Sequence, residues 1–180
     1  MKGDNKMDKI LIPEIPAKLI NTLLKNNKNN HHNVLQCIKI EADNKLVVTD
    51  GKALFIITLG ADYKLVAGTY TVNAVNKAKH FWEFIIELDP DGQFPDYKQV
   101  IPELSPLGEY IEVNSISDLS AIIYKIEKKT GVLLALQYAE LCQLASLMVQ
   151  KTVKEHAIRV IDAPDGILSG VILGLDVSLI

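Results

Sequence analysis

The chain has 180 residues, 48% of them hydrophobic and 23% charged, with a formal net charge of −3. That balance fits a soluble globular protein with a substantial core and excludes one that coats nucleic acid by bulk positive charge, though not one with a locally basic face. The polar start "MKGDNKMDK" has no apolar signal segment, and no apolar run of about 18 residues is present to span a bilayer, so a cytoplasmic, reduced setting is expected.

Residues 1–8 read as a disordered leader. A short strand follows from Lys9 to Ile12. Pro16 suits the first turn of a helix, where its missing N–H costs nothing. Ala17, Ile20, Leu23 and Leu24 continue at helical spacing, and the Asn-rich "NNKNNHHN" ends the helix. "VLQCIKIEAD", "KLVVTDG" and "ALFIITLG" read as three strands, with a tight turn at Asp43-Asn44. The pattern then restarts. "GTYTVN" reads as a strand, and "NAVNKAKHFWEFII" as a helix with Val75, Ala78, Phe81, Trp82 and Ile85 on one side. "YIEVNS" and "LSAIIYKIEKK" are strand-like. A third start reads as strand "GVLLALQ", helix "YAELCQLASLMVQK", strand "HAIRVIDA", a Pro-Gly turn and strand "ILSGVILGLDV". Three strand–helix starts at intervals of roughly 60 residues indicate a structural repeat. The fold class expected is α+β, with domains at residues 9–107 and 108–180.

One segment breaks the pattern. "DGQFPDYKQVIPE", residues 91–103, carries two prolines and two aromatics between apolar regions. Each proline biases the residue before it toward extended chain. The segment reads as a connector whose Pro and Val side chains help line something.

No catalytic constellation is visible. His31 and His32 read as a solvated helix end, and His80 with Glu83 as a helix-surface pair. His156 opens a strand. Cys37 and Cys142 lie in apolar contexts and read as buried thiols rather than a metal or redox pair. Asp89, Asp91 and Asp96 form the densest carboxylate group, but they lack the further oxygen ligands that calcium needs. There is no Gly-rich phosphate loop and no G-x-S-x-G. No cofactor or metal is expected.

"VTDGKALFI" (Val48 to Ile56) and "GQFPDYKQVIPE" (Gly92 to Glu103) resemble signature segments of the bacterial DNA polymerase III β subunit, the sliding clamp. That family has a Thr-Asp-Gly-His-Arg-Leu-Ala strand pair, then a Phe-Pro-Asp-Tyr connector followed by Val-Leu-Pro, in the same order. "VLLALQYAELCQLASLM" and "GVILGLDV" look like the strand, inner helix and closing strand of its last domain. The resemblance implies a DNA-clamp-like fold, with antiparallel sheets outside and helices on one inner face. A clamp chain has three domains; this one looks like roughly half of it.

The resemblance also implies a function. Clamps bind short peptides of polymerases and repair proteins in an apolar pocket. By match, the pocket residues here are Thr49, Gly51, Lys52, Ala53, Leu54, Pro95, Val100, Val171 and Leu173. The family's His-Arg is Lys52-Ala53 here, and its closing Met-Pro-Met-Arg is Leu173-Gly174-Leu175-Asp176. Clamps hold duplex DNA without reading its sequence, through Lys and Arg on inner helices. The matching candidates are Lys18, Lys25, Lys28, Lys77, Lys79, Lys151 and Lys154. A ring would need several copies, so a homo-oligomer is implied. The expectation is a non-enzymatic clamp-like protein binding DNA or clamp-binding peptides. The rivals are a stand-alone peptide-binding module and an unrelated α+β enzyme.

Overall fold

The computed structural model describes residues 7–28, 36–101, 111–113, 119–134, 138, 147–151, 157–162 and 168–174. The chain divides into two compact units. Unit 1 holds residues 1–51 and 55–95; unit 2 holds residues 52–54 and 96–180.

Unit 1 opens on β1 (Met7–Pro13), whose exposed and buried residues alternate as a half-buried strand requires. β1 starts before Lys9, so Met7 and Asp8 belong to the sheet rather than to a leader; Met7 pairs with Glu87. Helix α1 (Glu14–Lys28) follows at once. Its first N–H, on Glu14, donates to the His80 carbonyl at 2.9 Å. The Glu14 carboxylate meets Lys18 one turn on, at 2.7 Å. Ala17, Leu19, Ile20, Leu23, Leu24 and Asn27 form the buried stripe, packed on β1, β3 and β6. Strands β2 (Cys37–Ile40), β3 (Lys45–Thr49) and β4 (Ala53–Thr58) come next. The turn between β2 and β3 places Asn44 at φ 58°, a left-handed conformation that Asn tolerates. Leu46 to Thr49 are all buried, so β3 is covered on both faces.

β5 (Gly68–Asn76) and β6 (Phe81–Asp89) complete unit 1, with strand order β1-β6-β5-β2-β3-β4, of which the first two residues of β4, Ala53 and Leu54, belong to unit 2. This corrects the helix expected over "NAVNKAKHFWEFII". Val75 ends up in β5, Ala78 in the hairpin turn, and Phe81, Trp82 and Ile85 in β6. Trp82, Phe84 and Ile86 are buried while Phe81 is 51% exposed, a period of two rather than 3.6. β6 lies between β1 and β5 and pairs with both, and those two ladders decide the matter. His80 and Glu83 are therefore not helical neighbours.

Unit 2 contains β7 (Ile111–Val113), α2 (Leu119–Thr130), β8 (Leu147–Lys151), β9 (Ala157–Asp162) and β10 (Leu168–Leu173). Antiparallel pairing sets the order β10-β9-β8-β7, and α2 packs on β7 and β8. α2 corrects the strand expected over "LSAIIYKIEKK". Ile122, Ile126 and Thr130 are buried at four-residue spacing. Gly131, at φ 69°, ends the helix, its N–H donating to the Glu127 carbonyl at 2.7 Å. Of the strand expected at "GVLLALQ", residues 131–134 form no ladder. Tyr138 is helical, residues 139–146 lie outside the described residues, and "LMVQK" at the end of the expected helix is strand β8. Among the described residues, strand–helix starts stand at β1-α1 and β7-α2, and the second start expected, at "GTYTVN", is the β5–β6 hairpin instead. Each unit is α+β, with antiparallel strands and a helix packed on one face.

Candidate functional site

The turn between β3 and β4 is built by its own residues and by α1. The Gly51 N–H donates to Thr49 Oγ1 at 3.1 Å, and Gly51 sits at φ 85°, which glycine adopts without strain. The last turn of α1 holds this turn from below. Asn27 Nδ2 donates to the Thr49 carbonyl and Asn26 Nδ2 to Asp50 Oδ2, each at 2.9 Å. Sequence reasoning missed these two residues, because they lie in an Asn-rich run that reads as a helix end. Thr49 and Gly51 belong to unit 1 and Lys52, Ala53 and Leu54 to unit 2.

Within unit 2 the structure brings two candidate segments together. The Leu173 N–H donates to the Lys52 carbonyl at 2.9 Å, so Lys52–Leu54 runs beside the end of β10. Ala53, Leu54 and Val171 are buried, whereas Leu173 is 45% exposed. Lys52 is exposed. Val100, also in unit 2, is 54% exposed. Pro95 is half-buried and belongs to unit 1.

The connector is not a plain extended link. Asp89 makes a tight turn, its Oδ1 accepting from the Asp91 N–H at 3.2 Å and its carbonyl from the Gly92 N–H at 3.1 Å. Tyr97–Val100 then forms one 3-10 turn, in which Tyr97 is buried. Gln99 Nε2 donates to Asp96 Oδ2 at 2.8 Å. Tyr97 anchors the connector, a role its aromatic ring between polar neighbours could have signalled. Pro102 and Glu103 lie outside the described residues.

The basic candidates fall in several places. Lys18 is tied to Glu14 on α1. Lys25 is exposed and borders a cleft of about 320 Å³ between α1 and β5. Lys28 is the last residue of α1. Lys77 and Lys79 sit together on the β5–β6 turn, both exposed, not on a helix as expected. Lys77 Nζ lies 4.9 Å from the Trp82 ring centroid, a cation–π contact. The Glu14–His80 backbone bond places this turn at the start of α1. Lys151 ends β8 rather than following a helix. Lys154, His31, His32, His156 and Cys142 lie outside the described residues.

A second cleft, of about 410 Å³, is bordered by Cys37, Thr69, Thr71, Asp89, Asp91 and Gly92. Burial, opposed by hydrogen bonding from its own backbone, pushes the Cys37 thiol up to about 11. It is a neutral, inert thiol near pH 7. Among the described residues, no group of three or more His, Cys, Asp or Glu side chains could hold a metal ion, and no helix is long and apolar enough to cross a membrane.

No protein-family profile and no curated protein matches this chain in sequence. Solved structures do match. The DNA polymerase III subunit β of Borrelia burgdorferi, solved with a natural product, superposes with a TM-score of 0.58 at 13% identity, over 98% of this chain and 66% of that one. The β chain of Streptococcus pneumoniae gives 0.57 at 9% identity, over 98% and 67%. The sliding clamp of Pseudomonas aeruginosa bound to griselimycin gives 0.56 at 12% identity, over 98% and 67%. This chain therefore spans about two thirds of the clamps it matches, more than the half expected from its length. At 9–13% identity the shared property is the architecture, and this chain has the fold of the bacterial DNA polymerase III β sliding clamps.

Proposed function

We propose that this chain is a non-enzymatic, clamp-like protein of DNA replication or repair that takes up a short apolar peptide of a replication protein on unit 2. The observation that carries the reading is the 2.9 Å bond from the Leu173 N–H to the Lys52 carbonyl. It sets the "KAL" segment beside β10, the two stretches that match the clamp's peptide site. The docking surface is Lys52 with the exposed Leu173, over the buried Ala53, Leu54 and Val171, and the exposed Val100 of the same unit is its second candidate contact. Thr49 and Gly51 shape the turn before it, and Pro95 opens the connector.

Burying a Leu side chain against a peptide contributes about 1.5–3 kcal/mol. Leu173→Glu should therefore weaken binding of a Leu- and Phe-containing clamp-binding peptide by about 10- to 100-fold. Leu54→Glu does not serve as the test, because Leu54 is 4% exposed and a carboxylate there would disrupt the core. Peptide affinity is measured by fluorescence anisotropy. Undiminished affinity in Leu173→Glu and in Val100→Glu would remove this surface from consideration.

In the full clamp reading, several copies surround duplex DNA, and Lys25, Lys77 and Lys79 meet its phosphates. Salt-sensitive affinity, lowered in a Lys77→Glu, Lys79→Glu double variant, supports it; no affinity at low salt removes it. A second reading is a peptide-binding module that encircles nothing. It is favoured by the net charge of −3 and by the seat of Lys77 and Lys79 on a hairpin turn. Size in solution separates the two, since a ring requires several copies.

A further inference from the structure

Among the described residues, β1 is the outermost strand of unit 1, with β6 as its only partner in the sheet order. An outermost strand offers a row of backbone groups to any other chain. The register shows which residues of β1 make up that row. The Glu14 N–H bonds the His80 carbonyl, and the 14–80 pair continues the β1–β6 register, in which Ile12 faces Trp82 and Ile10 faces Phe84. In an antiparallel ladder, bonded and non-bonded pairs alternate. Ile12, Ile10 and Asp8 therefore direct their backbone groups to β6, and Pro13, Leu11, Lys9 and Met7 direct theirs outward.

Two of these four outward positions are closed. Pro13 has no N–H. Leu11 is taken by Tyr63: its N–H donates to the Tyr63 hydroxyl at 2.8 Å, and that hydroxyl donates back to the Leu11 carbonyl at 3.1 Å. One phenol thus replaces a neighbouring strand at one residue. Tyr63 lies in the segment 59–67 between β4 and β5, which is fixed near both ends. The Leu59 N–H donates to the Asn44 carbonyl at 2.9 Å, and Tyr70 Oη donates to the Val66 carbonyl at 2.8 Å. The Tyr63 N–H closes a turn on the Gly60 carbonyl at 3.2 Å. The segment is a strap drawn across the edge. The Met7 and Leu11 side chains beside this edge are 60% and 52% exposed with the strap in place, so what the strap closes is backbone.

We propose that segment 59–67 is an edge guard: the Tyr63 hydroxyl occupies the outward groups of Leu11 and so prevents β1 from pairing with β1 of a second copy of this chain. With Tyr63 in place, the donors of the edge that no described residue takes are those of Lys9 and Met7, too short a run for a stable ladder. Release of Tyr63 makes three alternate residues available, flanked by the Met7 and Leu11 side chains.

The test uses the full chain without peptide or DNA, so its outcome is independent of the clamp reading. In the wild-type chain, hydrogen exchange is expected to protect the Leu11 amide and leave the Lys9 amide fast; equal rates overturn the proposal. Tyr63→Phe keeps the ring and deletes the hydroxyl. It should accelerate Leu11 exchange about tenfold and produce species larger than wild type in sedimentation velocity. Adding Lys9→Pro removes a second outward N–H and should return the wild-type size while Leu11 exchange stays fast. Unchanged Leu11 exchange, faster exchange without association, or association that survives Lys9→Pro each overturn it.

Discussion

Asn27 should be the polar residue of unit 1 whose loss costs most. It is fully buried at the end of α1, and its Nδ2 donates to the Thr49 carbonyl at 2.9 Å. Thr49 is itself buried, so Asn27→Ala takes a donor from a carbonyl that water does not reach. A buried acceptor left short costs about 1–3 kcal/mol. For a chain of this size, each kcal/mol moves Tm by about 2–4 °C, so a loss near 2 kcal/mol lowers Tm by about 4–8 °C. The chain supplies its own probe. Trp82 is its single tryptophan and is buried in β6, so urea unfolding followed by Trp fluorescence reports on unit 1 alone. Asn26→Ala is the control. Its bond to Asp50 Oδ2 has the same length but is only part-buried, and its loss should cost under about 1 kcal/mol. Asn27→Ala within about 0.5 kcal/mol of wild type, the ordinary range of surface substitutions, would refute the reasoning. So would a larger loss in Asn26→Ala.

Phe84→Ala should cost about 3–5 kcal/mol in the same urea assay, and Phe81→Ala under about 0.5 kcal/mol; similar costs would contradict the strand register of β6. Cys37 should resist iodoacetamide at pH 7 in the folded chain and react on unfolding. Its folded thiol is raised from 9.0 to about 11, so the stability this supplies is complete below pH 9 and is lost as pH rises toward 11. Cys37→Ala should flatten that alkaline loss. The Glu83 carboxyl is held below its ordinary value by the Asn76 amide and then by Lys9. A depressed carboxylate supplies stability above the unfolded value of 4.5 that fades as pH falls through the folded one, so Glu83→Gln should show a shallower acid loss.

Strands β1 to β4, β9 and β10 were legible because their information is local: alternation, β-branched residues and turn signals at the ends. β6 was not. Val75, Ala78, Trp82 and Ile85 fit a helical stripe, and Trp82, Phe84 and Ile86 fit a strand equally well. The ladders to β1 and β5 decide between them, and β1 is some 70 residues away in the chain. α2 misled in the opposite sense. Its isoleucines carry β propensity, yet "EKKTG" is a helix C-terminus with basic residues in the last turn and a glycine after it. Tyr63 and Asn27 were illegible for a third reason. Each acts on a backbone group, 52 and 22 residues distant, and backbone donors and acceptors leave no mark in the amino-acid letters.

The same separation between local and distant information limits what the candidate site can be asked. Thr49, Leu54 and Val171 lie in the segments that resemble the clamp's and are also buried, as is Ala53, which stands where the family has Arg, so packing already constrains all four. A substitution at any of them lowers stability whether or not a peptide binds. Leu173 and Val100 are different. Both are apolar and about half exposed, so the folded chain gains little from either. Single exposed apolar residues are common on any surface, and exposure alone assigns them nothing. Leu173 adds a fixed position, because its N–H is bound to the Lys52 carbonyl. A polar replacement there leaves the core and this backbone bond in place and changes only what the surface offers a partner. Val100, on its 3-10 turn, is the second such position. A peptide that loses affinity to Leu173→Glu and Val100→Glu, while urea unfolding of both variants stays at wild type, has read the surface and not the fold. If affinity and stability fall together, the motif match reflects a shared core and carries no functional weight.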